Sequence, residues 1–276
     1  MFFSFLEENQ NKTILSSESK ETEVPFLEVE AESCQENEGG SNCYNQVVLN
    51  KSSLKYLPGQ DIVESLRFKN PDVYDIIEGN QSDLVNGIYE GGFKVWECTL
   101  DLLLFLEKCG DLKNSSQVLD LGCGAGLLGI FALSKGCSIY FQDYNIDVLQ
   151  LWTVPNVKLN MPSSLNKCRY FSGSWKDFSE RMCEEKQKFD VILTSETIYN
   201  PSYYGSLVDC IKNTMKEDGV TYLAAKAHYF GTGGNVNQFE EYLQKDGLLE
   251  VDSCFSYEEG LRREILRIKF RKEVSP

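Results

Sequence analysis

The regular pattern of apolar and polar positions lies in the part of the chain after about Asp83. Short apolar runs predict strands at residues 117–121, 138–142, 169–172, 189–194 and 219–226. Apolar residues at helical spacing predict helices at residues 96–109, 127–134, 145–157, 203–215 and 238–245. Two closing strands, 249–257 and 263–270, have no helix between them, so we expect them to pair antiparallel.

Strands that alternate with helices predict an α/β domain with a doubly wound, mostly parallel sheet that carries helices on both faces. The predicted strands form one seven-stranded sheet in which the last strand is antiparallel. This domain is predicted to span residues 54–276. It begins with a helical lead-in of short packed elements, which Pro58, Gly59 and Pro71 punctuate.

The N-terminal part of the chain differs in composition and in the pattern of its apolar residues. Residues 7–50 are rich in Glu, Ser and Asn, and their few apolar positions follow no sustained period. Such a segment buries too little surface to offset its ordering entropy, so we predict a disordered acidic tail over residues 1–53. The apolar stretch Val24-Pro25-Phe26-Leu27 has two interpretations, a short docking motif or disorder without a specific role.

The net charge of -15 narrows the range of partners. A nucleic-acid-binding surface needs a basic stripe that replaces counterions, so we expect no direct binding to nucleic acid. The acidity is compatible with a basic protein substrate, and it also serves plain solubility.

Cysteine and histidine usage predicts no metal site. Ten cysteines are scattered without a Cys-x-x-Cys pair, and the chain has a single histidine, His228. Residues 1–6 are apolar but lack the basic leader of a signal peptide, and no apolar run approaches the ~20 residues of a membrane helix. We therefore expect a protein of a reducing compartment, without a membrane partner.

A glycine-rich turn, Asp120-Leu121-Gly122-Cys123-Gly124-Ala125-Gly126, follows the first strand of the predicted α/β domain. Glycines let the backbone approach a ligand and the helix start offers free N–H groups, so Gly122, Gly124 and Gly126 predict a nucleotide-like ligand. Asp120 narrows the choice, because a carboxylate repels a pyrophosphate but suits the ammonium and sulfonium of S-adenosylmethionine. We predict this cofactor, with Asp120 among its contacts.

The next strand ends in Gln142-Asp143-Tyr144-Asn145, about 20 residues beyond the loop. A carboxylate at this edge of the sheet can accept hydrogen bonds from both hydroxyls of a ribose. We expect Gln142, Asp143, Tyr144 and Asn145 to contact the cofactor, with Asp143 on the ribose. The alternative is that Asp143 only caps the following helix.

Several stretches in consistent order and spacing resemble the histidine protein methyltransferase family. They are residues 90–99, 120–126, 142–145, 151–156, 171–175, 194–200 and 225–231. The resemblance covers the chain from about residue 83 to its end. It implies a seven-stranded, Rossmann-like, S-adenosylmethionine-dependent enzyme that methylates a histidine of a large-subunit ribosomal protein of the L-three type.

The resemblance also implies further cofactor contacts. A helix start that closes over the methionine end of the cofactor provides Val95, Trp96, Glu97, Cys98 and Thr99. Trp96 is expected to form an aromatic wall near the sulfonium, and the alternative for it is plain helix packing. The turn after the third strand, where the family holds adenine, provides Gly173, Ser174 and Trp175. Ser195 is expected to lie beside the reaction centre.

Glu196 and Tyr199 form a carboxylate-x-x-Tyr arrangement, similar to the acidic-x-x-Tyr motif of related protein methyltransferases. A neutral histidine nitrogen is already nucleophilic, so the site mainly has to align the reacting atoms and stabilise the forming imidazolium. Our hypothesis is that Glu196 orients the imidazole and balances its charge, while Tyr199 positions the ring. The alternative is that Glu196 caps a helix and Tyr199 packs. His228 stays outside the catalytic set.

Two other functions remain open from the sequence. A sister family that shares the acidic-x-x-Tyr site methylates lysine, and a non-catalytic binding module would keep the fold and pocket without the transfer. We expect a protein substrate, a monomer, and a cytoplasmic and nuclear location. The connection at residues 161–167 is short where some relatives carry a longer basic insertion, which puts autonomous nuclear import in doubt.

Overall fold

The computed structural model describes residues 25–34, 43–79, 84–85, 88–258 and 260–272. Its main sheet contains the seven predicted strands. They are β4 (Gln117–Leu121), β5 (Ser138–Asp143), β6 (Cys168–Ser172), β7 (Phe189–Ser195), β8 (Met215–Lys226), β9 (Leu249–Tyr257) and β10 (Arg263–Phe270). An additional short strand, β1 (Leu27–Glu28), pairs with β6, and β2 (Asn45–Val48) forms a separate hairpin with β3 (Ser53–Tyr56).

The strand order is β1-β6-β5-β4-β7-β8-β10-β9. The five strands from β6 to β8 are parallel, whereas β10 runs antiparallel to both β8 and β9. The predicted mostly parallel sheet with an antiparallel last strand is therefore confirmed. This order reverses direction at β4, where open parallel sheets place their ligands at the carboxyl edge.

The helices lie between the strands as expected. They are α1 (Gly59–Lys69), α2 (Pro71–Gly79), α3 (Glu97–Cys109), α4 (Leu127–Ser134), α5 (Ile146–Val148), α6 (Val154–Asn160), α7 (Trp175–Glu184), α8 (Tyr204–Thr214) and α9 (Val236–Asp246). The sequence pattern did not predict α7, which is short of apolar residues; it begins where the Ser174 hydroxyl accepts a hydrogen bond from Asp177 N. A π turn, Leu149–Thr153, separates α5 from α6 within the single helix predicted there.

Two apolar layers cover the two faces of the sheet, because side chains alternate along each strand. Along β7, Val191 and Leu193 join the layer beneath α3 and α4, whereas Ile192 joins the layer beneath α7, α8 and α9. Among the described residues, no helix is long and apolar enough to cross a membrane.

The N-terminal segment differs from the predicted disordered tail. Residues 25–34 lie along β6, where Val29, Ala31 and Cys34 are buried, and residues 45–56 form the β2–β3 hairpin. A strand with only a few apolar residues can be ordered by an existing sheet edge, which supplies backbone hydrogen bonds that composition does not reveal. The rest of the predicted tail lies outside the described residues.

Candidate active site

A cavity of about 870 Å³ opens at the carboxyl edge of the parallel strands, within the size range of small-molecule sites. Most of the residues predicted from the sequence line it. They are Val95, Trp96, Thr99, Gly122, Gly124, Asp143, Tyr144, Gly173, Ser174, Trp175, Ser195, Glu196 and Tyr199. The sheet therefore gathers into one site residues that come from many separate stretches of the chain.

Six predicted residues do not line the cavity: Glu97, Cys98, Asp120, Gly126, Gln142 and Asn145. Glu97 is an exposed residue at the start of α3, and Cys98 is buried behind it. Gly126 has a φ of 74° and lies so close to Thr153 and Phe141 that it serves packing and the start of α4. In the structure these six residues support the wall of the cavity, and their direct contact with the cofactor stays a prediction.

The glycine loop has the backbone geometry that the sequence predicted. Gly122 and Gly124 have φ values of 68° and 50°, in the left-handed region that favours glycine. A Cβ atom at Gly124 would lie 3.1 Å from Gly92 O, and one at Gly122 would lie 2.9 Å from Thr197 Cγ2. Side chains at these positions would fill the space between the loop and its cover, so the glycines keep the cavity open.

Two amide side chains hold this loop and its surroundings from outside the cavity. The buried Gln142 accepts a hydrogen bond from Gly122 N at 3.4 Å and donates one to Gly173 O at 2.8 Å. Asn145 donates to Ile88 O at 2.6 Å and accepts from Glu90 N at 3.2 Å. Gln142 thus ties the glycine loop to the turn after β6, and Asn145 fixes the segment that carries Glu90.

Asp120 lies under the glycine loop, outside the cavity lining. Its side chain is 1% exposed, and Oδ2 accepts a hydrogen bond from Gly129 N in the first turn of α4 at 2.8 Å. Burial, and then the neighbouring charge of Asp143, raises the pKa of Asp120 to about 8, so the carboxyl is mostly protonated at pH 7. The strand turns this side chain under the loop, where it anchors α4, and its predicted contact with the cofactor stays a prediction.

Asp143 lies at the end of β5, and its carboxylate borders the cavity. Oδ2 accepts a hydrogen bond from Gly124 N at 2.9 Å, and Oδ1 accepts one from Asn145 N at 3.2 Å. Burial raises the pKa of Asp143 to about 6, and the N–H donors limit that rise. The group is therefore mainly ionised at pH 7. Each carboxylate oxygen has a further lone pair for a ligand hydroxyl.

The start of α3 forms another wall of the cavity. The Thr99 hydroxyl lies 2.8 Å from the Ser195 hydroxyl at the end of β7, which fastens the helix start to the sheet. The Trp96 ring lines the cavity, and the ammonium groups of Lys94 and Lys226 lie 4.5 Å and 5.0 Å from its centroid. The predicted contact of Trp96 with a sulfonium thus stays a prediction, and these two cations already contact the ring.

Glu196 follows β7 with a φ of 61°, a left-handed backbone that is uncommon for a residue with a side chain. Its Oε1 accepts a hydrogen bond from Cys98 N at 3.4 Å, in the first turn of α3, and lies 3.6 Å from Lys226 Nζ. The side chain is 6% exposed. The carboxylate borders the cavity, yet these contacts are those of a residue that holds a helix N-terminus and balances a lysine.

Tyr199 has a carboxylate partner that the sequence analysis did not single out. Its hydroxyl donates a hydrogen bond to Glu90 Oε2, across the cavity that both residues line. Burial, and then the charge of Glu90, raises the pKa of Tyr199. The phenol therefore stays protonated and serves as a donor rather than as a base.

Two segments contribute lining residues that the sequence did not single out. Glu90, Gly91, Gly92 and Lys94 line the cavity from within the stretch 90–99 that carried the family resemblance. Pro25 and Phe26 line it from the apolar stretch considered as a docking motif. The sequence showed that the first segment belongs to a family motif and that the second is apolar. No local pattern indicated that either segment reaches this cavity.

The described residues contain no group of three or more His, Cys, Asp or Glu side chains that could hold a metal ion. His228 is exposed, and its backbone forms an isolated bridge with Asn235 outside the cavity lining. The polar groups of the site are therefore carboxylates, hydroxyls, lysines and backbone N–H groups.

Residues 81–244 match the family model described as lysine methyltransferase. The chain is 38% identical over 258 residues to the histidine protein methyltransferase 1 homolog of Rattus norvegicus, covering 81% of this chain and 71% of that protein. It is 42% identical over 193 residues to the homolog of the same name from Dictyostelium discoideum, covering 68% of this chain and 61% of that protein.

Among solved structures, the chain is similar in fold to SMU.776, described as a methyltransferase complexed with SAH. The TM-score is 0.55 at 11% identity, and the match covers 83% of this chain and 56% of that chain.

Proposed function

Because this chain belongs to the methyltransferase family of its histidine protein methyltransferase relatives, we propose that it transfers a methyl group to a histidine side chain of a protein. It is an enzyme, and S-adenosylmethionine is its cofactor. The observation that carries the proposal is the cavity in which the glycine loop and Asp143 lie beside the Glu90–Tyr199 pair.

The residues present fit this cofactor. The glycine loop leaves space that side chains at Gly122 and Gly124 would fill, and Asp143 offers an ionised carboxylate at the position expected for ribose hydroxyls. Gly173, Ser174 and Trp175 continue the same wall past Asp143, toward the edge of the sheet. When bound, S-adenosylmethionine supplies an electrophilic methyl group.

At the acceptor end of the cavity, formed by Glu90, Ser195, Glu196 and Tyr199, we assign the orienting role to Glu90. A neutral imidazole has one N–H and one basic nitrogen. A carboxylate that accepts a hydrogen bond from the N–H therefore directs the basic nitrogen away from the carboxylate. Glu90 receives a hydrogen bond from a neutral phenol, which orients the carboxylate without neutralising it. The same carboxylate stabilises the imidazolium that forms on methylation.

Glu196 then acts mainly through position. Its contacts with Cys98 N and Lys226 hold the first turn of α3 against the end of β7, and Lys226 is shared with Glu97, whose Oε2 lies 2.9 Å from Nζ. We therefore propose Glu90 as the orienting carboxylate, with Tyr199 as its positioning residue, and the catalytic role of Glu196 stays a prediction.

For the protein substrate we propose a large-subunit ribosomal protein of the L-three type, as the family resemblance implies. Ribosomal proteins bind a polyanion and are basic as a class, and the net charge of -15 favours their approach. A substrate of this kind is available in the cytoplasm and the nucleus, where we propose that the enzyme works.

A second candidate acceptor is lysine, which the description of the matched family model names. A lysine ammonium has an ordinary pKa of about 10.4 and must lose its proton before it can attack, whereas a neutral imidazole needs no such step. The chain is 38% and 42% identical to relatives named for histidine methylation, and this similarity favours histidine as the acceptor.

The proposal is tested by labelling. The recombinant protein is incubated with tritiated S-adenosylmethionine and purified large-subunit proteins, and the labelled peptide is sequenced by mass spectrometry. We expect one labelled protein with the methyl group on a histidine, and no label with an Asp143→Ala variant. A methylated lysine would favour the second candidate. Absence of transfer despite cofactor binding would favour a non-catalytic module.

A further inference from the structure

The N-terminal segment 25–34 is attached to the outer edge of the sheet by contacts of several kinds. Leu27 and Glu28 pair antiparallel with Ser172 and Phe171, and Val29 N donates a hydrogen bond to Tyr170 O at 2.8 Å. Further along, Lys158 Nζ donates to Cys34 O at 3.1 Å. The segment is thus held along its length by β6 and by α6.

A charged clamp reinforces this attachment. The Arg169 guanidinium donates to both oxygens of Glu28, at 2.7 Å and 2.8 Å, and to Glu185 Oε2 at 2.6 Å. It also lies over the rings of Tyr140 and Phe171, 5.0 Å and 4.8 Å from their centroids. A two-pronged pair that is stacked on aromatic rings has a fixed geometry, unlike an ordinary exposed ion pair.

The clamp places Phe26 at the cavity wall. The Phe26 ring stacks on Phe171 with centroids 6.0 Å apart, and both Pro25 and Phe26 line the cavity beside Ser174 and Trp175. A Cβ atom at Gly173 would lie 3.0 Å from Phe26 Cα. The turn after β6 and the N-terminal segment therefore fit together only because residue 173 is a glycine.

We propose that Phe26 contacts the adenine base of the bound cofactor, so that segment 25–34 is part of the cofactor site. The ribose carboxylate, Asp143, ends β5, and the acceptor end of the cavity lies toward β7 on the other side of β4. The base attached to that ribose must extend the opposite way, toward β6. There the cavity wall consists of Gly173, Ser174, Trp175 and the N-terminal segment, and the half-buried Phe26 ring supplies an apolar surface to a flat base.

The first test compares two neighbouring positions in the full-length chain. Phe26→Ala removes the ring at the cavity, whereas Leu27→Ala changes the next side chain, which does not line the cavity and is 45% exposed. The probe is S-adenosylhomocysteine, titrated by calorimetry. We expect about tenfold weaker binding for Phe26→Ala and a change below about twofold for Leu27→Ala, since stacking on a base is a substantial contribution.

Equal affinity of Phe26→Ala and the unchanged protein would overturn the proposal, provided that thermal unfolding shows both to be folded. A second measurement does not depend on that variant. Hydrogen exchange on the unchanged protein should show slower exchange of Val29 N–H and its neighbours when S-adenosylhomocysteine is added. Protection of the glycine loop without protection of residues 26–30 would also overturn it.

A second variant weakens the attachment of the N-terminal segment without removing Phe26. Glu28→Gln removes one charge from the Arg169 clamp while leaving the Phe26 ring in place. We expect this variant to bind S-adenosylhomocysteine about two- to threefold more weakly than the unchanged protein. At high salt the two affinities should become more similar, because screening weakens the clamp in both proteins. A Glu28→Gln variant that binds more tightly than the unchanged protein would contradict the inference.

Discussion

The two ends of the cavity are built in different ways. At the cofactor end, formed by Gly122, Gly124, Asp143 and Gly173, left-handed glycines and backbone N–H groups shape the site, and the Asp143 carboxylate borders the cavity. At the acceptor end, side chains from distant parts of the chain meet, as when Tyr199 reaches Glu90 across 109 residues of sequence. The first end depends on local backbone conformation, and the second depends on tertiary packing.

This difference explains why the acidic residues near the cavity have different roles. Asp120 lies near the end of β4, outside the cavity lining, whereas Glu196 follows β7 and lines the cavity; each accepts a hydrogen bond from a helix start, at α4 and α3 respectively. Asp143 and Glu90 keep carboxylate oxygens toward the cavity. Changes at the cofactor end should therefore alter affinity for the cofactor, and changes at the acceptor end should alter the transfer step.

The largest effect is expected at Asp143. Asp143→Ala should weaken S-adenosylhomocysteine binding by about 100-fold or more, because hydrogen bonds to a charged group contribute about 1.5–3 kcal/mol each. Calorimetry on the purified variant measures this. Asp147→Ala is the matched control, since Asp147 lies in α5 and bonds with Asn70 outside the cavity lining. A loss below about threefold at Asp143 would remove the basis for a ribose contact.

The next largest effect is expected at Glu90, in the acceptor end of the cavity. Glu90→Gln should slow single-turnover methylation of the labelled acceptor protein by about 30-fold at saturating cofactor, because the variant cannot balance the imidazolium charge. Affinity for S-adenosylhomocysteine should stay within about threefold of the unchanged value. Glu180→Gln on the exposed face of α7 is the control and should behave as the unchanged protein. An unaltered transfer rate in Glu90→Gln would return the orienting role to Glu196.

A smaller effect separates the two carboxylates of the acceptor end. Glu196→Gln should lower the free energy of unfolding by about 1–2 kcal/mol, because the carboxylate stabilises the N-terminus of α3 and is paired with Lys226. Its single-turnover rate should fall by less than about fivefold. Denaturant unfolding and rapid quench measure the two quantities. A rate loss greater than that of Glu90→Gln, with unchanged stability, would reverse the assignment.

The last prediction is a pH dependence of cofactor binding. The ionised form of Asp143 accepts ribose hydroxyls, and its pKa is raised to about 6 in the protein without ligand. Protonation must therefore weaken cofactor binding as the pH falls through 6, and binding should be nearly constant above about 7. We expect about tenfold weaker binding of S-adenosylhomocysteine at pH 5 than at pH 7. The step should disappear in Asp143→Asn, and its persistence there would assign it to another group.

The sequence pattern predicted the cofactor end better than the acceptor end. Strand, glycine turn and helix at residues 117–134 follow from short-range periodicity and from the conformational freedom of glycine, and the structure has them at the predicted residues. The position of Asp143 follows in the same way, since a carboxylate that ends one parallel strand must lie beside the loop that ends its neighbour. These features are local or fixed by sheet topology.

Side-chain directions could not be predicted in the same way. The spacing placed Glu196 and Tyr199 in one motif but did not show their partners: the Glu196 carboxylate accepts a hydrogen bond from the start of α3, and Tyr199 contacts Glu90. Phe26 reaches the cavity only because β6 presents an edge for pairing and Arg169 clamps Glu28. Such contacts depend on which segments the whole fold brings together, and no short-range pattern contains that information.

The central claim is that this enzyme methylates a histidine of a large-subunit ribosomal protein. The direct measurement is mass spectrometry of ribosomal proteins from cells with and without the gene for this chain. The account predicts that one methylated histidine disappears from one large-subunit protein on deletion, and that it returns with the intact gene but not with Asp143→Ala. Unchanged histidine methylation together with the loss of a methylated lysine would contradict it.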